Sequence, residues 1–229
     1  MAFGPMPADS LDRLIGLDAA GRSVRFVRGN TDRLVADAYE SWGAGRLPPG
    51  DGPEPLAPTA WAAKRLAPVH RELLARLDPT VTVDIAGFGE VLFCHATPRS
   101  DEEIVTLHTP DARIEDALAD VTARLVVAGH THVQFDRLVG GRRFVNAGSV
   151  GMPYEDAPGA YWALLHDGEV SLRRTAYDHE AAAASILASG YPEAEQLARE
   201  SLLEPMGRER AAALFEELGA ANTEPFSLP

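Results

Sequence analysis

Residues 125–128, "LVVA", form an apolar run too short for a helix, and it ends on Gly129 with "HTH" directly behind. Such a run fits a strand buried on both faces, as in the middle of a parallel sheet covered on each side. Parallel neighbours need crossover connections, so the flanking sequence must supply helices. It does: helical spacing appears in "PADSLDRLIGL" (7–17), "TDRLVADAYESW" (31–42) and "TAWAAKRLAPVHRELLARL" (59–77), where Pro68 kinks or divides the helix. "DARIEDALADV" (111–121) adds another. Further strands are expected at Ser23–Gly29, and as a pair at Thr80–Ile85 and Glu90–Cys94 joined through Gly87 and Gly89. Two hairpins come next, turning at Gly140-Gly141 and at Asp167-Gly168. The pattern is that of an α/β protein with a layered sheet core.

The organisation expected is a main domain over 1–178 and a C-terminal helical appendage over 179–229. In the appendage Leu197, Leu202, Leu203, Leu214, Phe215 and Leu218 fall at helical spacing. Packing on the parent domain is its first use, with a dimer interface or an active-site cover next. Residues 43–58 carry five prolines and form neither helix nor central strand; they read as a loop and a candidate lid.

Charge restricts the partners. Asp and Glu number 34 against 21 Lys and Arg, a net −13, so a nucleic-acid backbone is repelled by the general field. A small phosphorylated substrate remains compatible if metal cations supply the local positive charge. The single cysteine, Cys94, excludes an internal disulfide framework. No apolar stretch reaches eighteen residues, and "MAFGPMPADS" lacks a basic and an apolar signal region, so a cytoplasmic protein without a membrane partner is expected. A homo-oligomer is compatible with this composition.

In an extended segment, side chains at i and i+2 point the same way, so His130 and His132 would present two imidazoles to one side. The plain alternative is a pair of surface loop histidines. His95 follows the strand "EVLFC", and Asn30 follows Gly29 in "RFVRGNTD"; alone they read as a structural histidine and a turn or cap residue. Together they lie at the carboxyl ends of strands, where α/β folds collect ligands. Nitrogen and carboxamide donors without thiolates suit Mn, Fe, Zn or Co. Cys94 faces the other way from His95 along a strand, which argues against a thiol nucleophile.

The ordered set "GNTD", "FCHATP", "VAGHTH" and "FVNAGSVG" resembles the calcineurin-like metallophosphoesterases, over about Pro5 to Asp178, and within them the bacterial branch with Gly-Asn-Cys/Thr-Asp. Ala147 stands where that branch usually has proline. The resemblance implies a two-sheet β-sandwich flanked by helices, holding two divalent metal ions (Mn, Fe, Zn, Ni or Co). It implies Asn30, His95 and His130 on one metal and His132 on the other. The activity implied is hydrolysis of a small phosphomonoester, phosphodiester or nucleotide by a metal-bound hydroxide. Thr31 stands where protein phosphatases carry a leaving-group histidine, so that role is open. Asp32 would orient a water or the ligands, or else cap the helix; Arg99 would meet a substrate phosphate, or else lie solvated at the surface.

Two family motifs are absent. No Asp-x-His occurs, and the single Gly-Asp, Gly50-Asp51, lies after Asn30 in the proline-rich stretch. "AFGPMPADSLDRL" resembles the family's segment just past the bridging Asp, so a strand-helix-strand of roughly 30–45 residues is expected to be missing ahead of it. A start assigned too far downstream accounts for this better than true loss, because removing central strands exposes unpaired backbone. At most one metal position is then well ligated. The alternative function is a non-catalytic relative that binds a metabolite or a protein through a degraded site. An α/β hydrolase using Ser149 is disfavoured, since "NAGSVG" lacks Gly-x-Ser-x-Gly.

Overall fold

The computed structural model describes residue 2 and residues 4–43 and 57–221; of the stretch 43–58 expected as a loop and candidate lid, residues 44–56 lie outside the described residues, while its ends are helical, Gly43 closing one helix and Ala57-Pro58 opening the next, where proline is tolerated in the first turn. The apolar run becomes β3 (Leu125–Ala128), with all four residues buried, between β2 (Gly89–Cys94) and β5 (Arg142–Asn146). Both pairings are parallel. Antiparallel neighbours close the sheet: β1 (Thr80–Ile85) beside β2, and β4 (Phe135–Val139) beside β5, in the order β1-β2-β3-β5-β4.

Alternation along these strands loads both faces. On one side Val91, Leu125, Val127 and Val145 pack against Leu165, Val170 and Leu172 of a second, two-stranded sheet, β6 (Ala160–His166) and β7 (Glu169–Thr175). On the other, Val126, Ala128 and Phe144 pack with Ile114 of α5 (Asp111–Ala117) and with Leu118 and Val121. The expected helix over 111–121 stops at Ala117, because Leu118 and Val121 turn into this core. Phe144 is 1% exposed, so Phe144→Ala would cost about 3–5 kcal/mol. The β1–β2 and β6–β7 turns touch backbone to backbone: a Cβ on Gly87 would lie 2.5 Å from the Gly168 nitrogen.

A helical layer stands beside the sheet. α1 (Pro7–Ala19), α2 (Asn30–Gly43), α3 (Ala57–Arg65) and α4 (Pro68–Ala75) bury Leu11, Val35, Ala62, Leu66 and Leu74 together. Pro68 divides the expected 59–77 helix outright: Ala67 before it is extended (ψ 161°), as the proline ring demands, and Pro68 starts α4. The buried His70 ring ties this break to α1, accepting from the Ala67 nitrogen (3.2 Å) and meeting Asp12 at 2.8 Å.

Residues 23–29 are not a strand. They run without a ladder, Phe26 packs into the helical layer, and Arg28 N donates to Asp78 O at 2.9 Å. Alternation here reflects one apolar side chain meeting helices, with no strand pairing beside it among the described residues.

The C-terminal segment forms α6 (His179–Ala188), α7 (Ala194–Ala198), a π-helical turn (Arg199–Leu203) and α8 (Arg208–Ala221). Ile186, Tyr191 and Leu202 pack with Trp61 of α3. Polar contacts fasten α8 to the segments that connect the strands: Arg208 donates to Gln134 O and to Asp156, and Glu216 accepts from the Thr106 and Thr109 hydroxyls. Among the described residues no helix is long and apolar enough to cross a membrane.

Candidate metal centre

Because β2, β3 and β5 are parallel, their carboxyl ends share one edge, and each delivers a residue there: His95 after β2, Gly129–His132 after β3, and Asn146 closing β5. Backbone bonds carry the register one step past the strands, from Gly129 N to His95 O (2.8 Å) and from Ala147 N to Ala128 O (2.9 Å). Beyond that point the chain departs from the extended form expected of it. His130 and His132 both sit in the left-handed region, at φ 69° and 58°. The two imidazoles are therefore placed by two left-handed turns around Thr131, and strand alternation plays no part. Histidine is one of the few non-glycine residues that enters this region with any frequency.

Buried polar groups hold that loop. The Thr131 hydroxyl donates to Val105 O (3.2 Å), and the Asn146 amide donates to Gly129 O (2.5 Å) and to the Thr131 hydroxyl (3.0 Å) while accepting from Gly148 N (2.9 Å). Asn146 is 1% exposed. It belongs to the family-like "FVNAGSVG" segment, to which no site role was given. The available signal was a carboxamide ending an otherwise apolar strand, a group that must find partners once buried.

Across the edge, His130 Nδ1 and His95 Nε2 face each other at 3.2 Å. Two nitrogen ligands at ~2.1 Å from one metal ion lie about 3.0–3.4 Å apart, so this spacing suits a shared cation. The Glu102 backbone accepts a hydrogen bond from the His130 ring, the kind of outer contact that fixes a ligating histidine. The His132 ring stacks on Tyr154 (centroids 5.5 Å), and its buried Nδ1 has no hydrogen-bond partner. Burial, with repulsion from His130 and His132, holds the His95 pKa down to about 3. Burial and His130 hold His132 to about 4, and burial lowers His130 as well. All three rings are thus kept neutral, the form that ligates.

Asn30 arrives from the helical layer. A Cβ on Gly29 would come within 3.0 Å of His95 Nδ1, so glycine is what lets the Gly29-Asn30 turn lie against that ring. Buried Asp32 accepts from Gly29 N (3.1 Å) and Ala2 N (2.9 Å), holding the turn in place. Arg33 ties α2 to the segment after His95, through Asp101 (2.9 and 3.0 Å) and Glu102 (2.7 Å). Arg99 is not brought together with the histidines: its guanidinium is engaged by Glu103 (2.6 and 2.8 Å) and Asp116 (2.7 Å). Burial pushes the Cys94 thiol up to about 12, which leaves no thiolate for nucleophilic attack. Ser149 accepts from Met152 N as a turn residue.

Residues 7–169 match the sequence profile of the calcineurin-like phosphoesterase superfamily domain. The chain belongs to this superfamily. Two solved structures share the superfamily fold. One is a hypothetical protein from Pyrococcus horikoshii, with TM-score 0.71 and 20% identity over 88% of this chain and 81% of that one. The other is a metallophosphoesterase from Sphaerobacter thermophilus, with TM-score 0.63 and 21% identity over 85% of this chain and 81% of that one. No curated protein matches the chain.

A calcineurin-like phosphoesterase works with divalent metal ions, and the donors here fit that group in part. His95 and His130 offer a two-nitrogen clamp with Gly29 lying against the His95 ring, and His132 supplies a separate buried nitrogen, its orphaned Nδ1. Neither His132 nor an acidic side chain joins the pair in one group: among the described residues no three His, Cys, Asp or Glu side chains form a group able to hold a metal ion. The neighbouring carboxylates of Asp101 and Glu102 are taken up by Arg33.

Proposed function

We propose that this calcineurin-like phosphoesterase hydrolyses a small phosphomonoester, phosphodiester or nucleotide, and that it belongs to the bacterial Gly-Asn-Thr-Asp branch. The observation that carries the reading is the facing pair His95 Nε2 and His130 Nδ1, 3.2 Å apart at the carboxyl edge of parallel strands. Asn30, His95 and His130 would hold one divalent cation and His132 a second. When bound, the cations supply charge that polarises phosphoryl oxygens and lowers the pKa of an attacking water.

The chain's own residues do the positioning. Thr131 and Asn146 fix the left-handed loop so that both rings keep their aim. Asp32 holds Gly29 against the His95 ring, and Asn30 follows Gly29 directly in the chain. With a net charge of −13, the protein surface repels anions, so attraction for a phosphate must be concentrated at the metal edge. Arg99 would join substrate binding only by leaving Glu103 and Asp116.

The test is hydrolysis of an aryl phosphomonoester and an aryl phosphodiester with added Mn²⁺, by this chain and by one extended through the upstream reading frame. Turnover that His130→Ala and His132→Ala abolish supports the assignment. Absence of turnover and of retained metal in both forms overturns it. The lack of an acidic ligand among the described residues favours one second reading, a non-catalytic relative that binds a metabolite or protein at this edge. That reading expects the second outcome.

A further inference from the structure

We propose that α8 is part of the metal-site architecture, with Phe215 and Tyr154 as positioning residues for His132. This rests on the assignment of His132 as a ligand. The His132 ring stacks on Tyr154 at 5.5 Å with 23° between the planes, and Tyr154 N donates to His132 O at 3.2 Å. Behind Tyr154 stands Phe215 of α8, with centroids 5.8 Å apart. Three aromatic rings thus run from the site edge to the C-terminal helix.

The next residue of α8 reaches the same loop by another route. Glu216 accepts from the Thr106 hydroxyl at 2.7 Å, and the carbonyl of Val105, one residue earlier, accepts from the Thr131 hydroxyl at 3.2 Å. Consecutive residues of α8 therefore support consecutive residues of the histidine loop. Simple coverage of an apolar face would turn the helix's leucines inward. Leu214 and Leu218 are instead 43% and 45% exposed, and Phe215 goes to Tyr154.

His132 needs such support. Its ring meets the Met152 backbone, its Nδ1 has no hydrogen-bond partner, and its own backbone is held in a left-handed conformation. An outer contact that orients a ligating histidine is worth about 10–100-fold in metal affinity. Stacking on Tyr154 limits rotation of the ring, and Phe215 limits rotation of Tyr154.

The experiment uses the full chain and two readouts. Histidine ring signals are followed by NMR without metal, and Co²⁺ binding is titrated by visible absorption. Phe215→Ala is expected to shift the His132 ring signals while leaving those of His70 in the helical layer unchanged, and to weaken Co²⁺ binding about 10-fold. Phe215→Leu, which keeps bulk without an aromatic face, gives the same result if the alanine variant does not fold. Phe215→Tyr restores both readouts, and Leu218→Ala on the same helix changes neither. Wild-type His132 signals in both the alanine and leucine variants overturn the proposal, as does an equal disturbance of His70. If the wild-type chain itself binds no Co²⁺, the ligand assignment fails, and the metal-free ring signals still decide whether α8 orients His132.

Discussion

The two sides of the site are built by different means. The histidine side stands on the ends of β2, β3 and β5, and its loop is locked by the buried Thr131 and Asn146. The Asn30 side comes from a helical layer with its own core, and it meets the sheet through Arg28 N on Asp78 O, Gly29 against His95, and Arg33 on Asp101 and Glu102. Opening the first requires disrupting the central sheet; opening the second requires breaking a few polar contacts, some of them partly exposed. One side sets geometry, and the other is free to respond to conditions.

The largest effect is expected on the histidine side. His130→Ala removes one of the two facing nitrogens, and Mn²⁺-dependent ester hydrolysis should fall by more than the about 100-fold typical of losing an outer contact. Retained metal measured alongside should fall with it. Activity within tenfold of wild type would remove this side from the chemistry.

Asn146→Ala and Asp32→Ala compare the sides directly. The first strands Gly148 N and Gly129 O, at about 1–3 kcal/mol for each unsatisfied group, and should lower the urea midpoint of the whole domain. The second leaves Gly29 N and Ala2 N without the Asp32 carboxylate. Its effect should be local: faster amide exchange at residues 29–33, with β2 and β3 protection unchanged. Equal global losses would erase the distinction.

Acid should act through the histidine side. The folded protein holds its three site imidazoles below the ordinary histidine pKa, so between those values the unfolded chain binds more protons. Stability of the metal-free protein should therefore drop as pH falls from about 6.5 toward the value of about 4 reached by His132. His95→Gln, lacking one of the three, should show a shallower fall in urea midpoint between pH 7 and 5; an identical slope would contradict the cause.

Arg33→Gln should have the smallest effect on stability, within about 1 kcal/mol, because its guanidinium is one-third exposed and screened. Its signature is salt dependence. Wild-type hydrolysis in ~1 M salt should approach that of the variant, since screening there acts over about 3 Å.

The features legible in the sequence were mostly local. β3 announced itself by four apolar residues, both hairpins by their glycine turns, and the break at Pro68 by the constraint proline places on its own φ and on its neighbour. His95 and His130, which the structure brings face to face, stood out as candidates by their place at strand ends and by an order along the chain that resembles a family. Phe26 was misleading, since burial against helices and burial in a sheet leave the same alternation over a few residues. The left-handed turns at His130 and His132 were hidden because they are enforced by Asn146, Thr131 and Val105, two of which are distant in sequence. The Tyr154–Phe215 contact spans some sixty residues and follows no period that either helix or loop reveals.

The left-handed backbone at positions 130 and 132 has an evolutionary consequence. Were a lineage to lose its need for metal, the rings could go, but the turns would persist, because Asn146 and Thr131 hold them for the sake of the sheet edge. The tolerated replacements are then Gly, Asn and Asp, which enter that conformation cheaply, while Val and Ile are excluded. Decayed copies of this gene should carry a glycine–asparagine–aspartate bias at these two codons, so that a genome would preserve the outline of the site after its chemistry had gone.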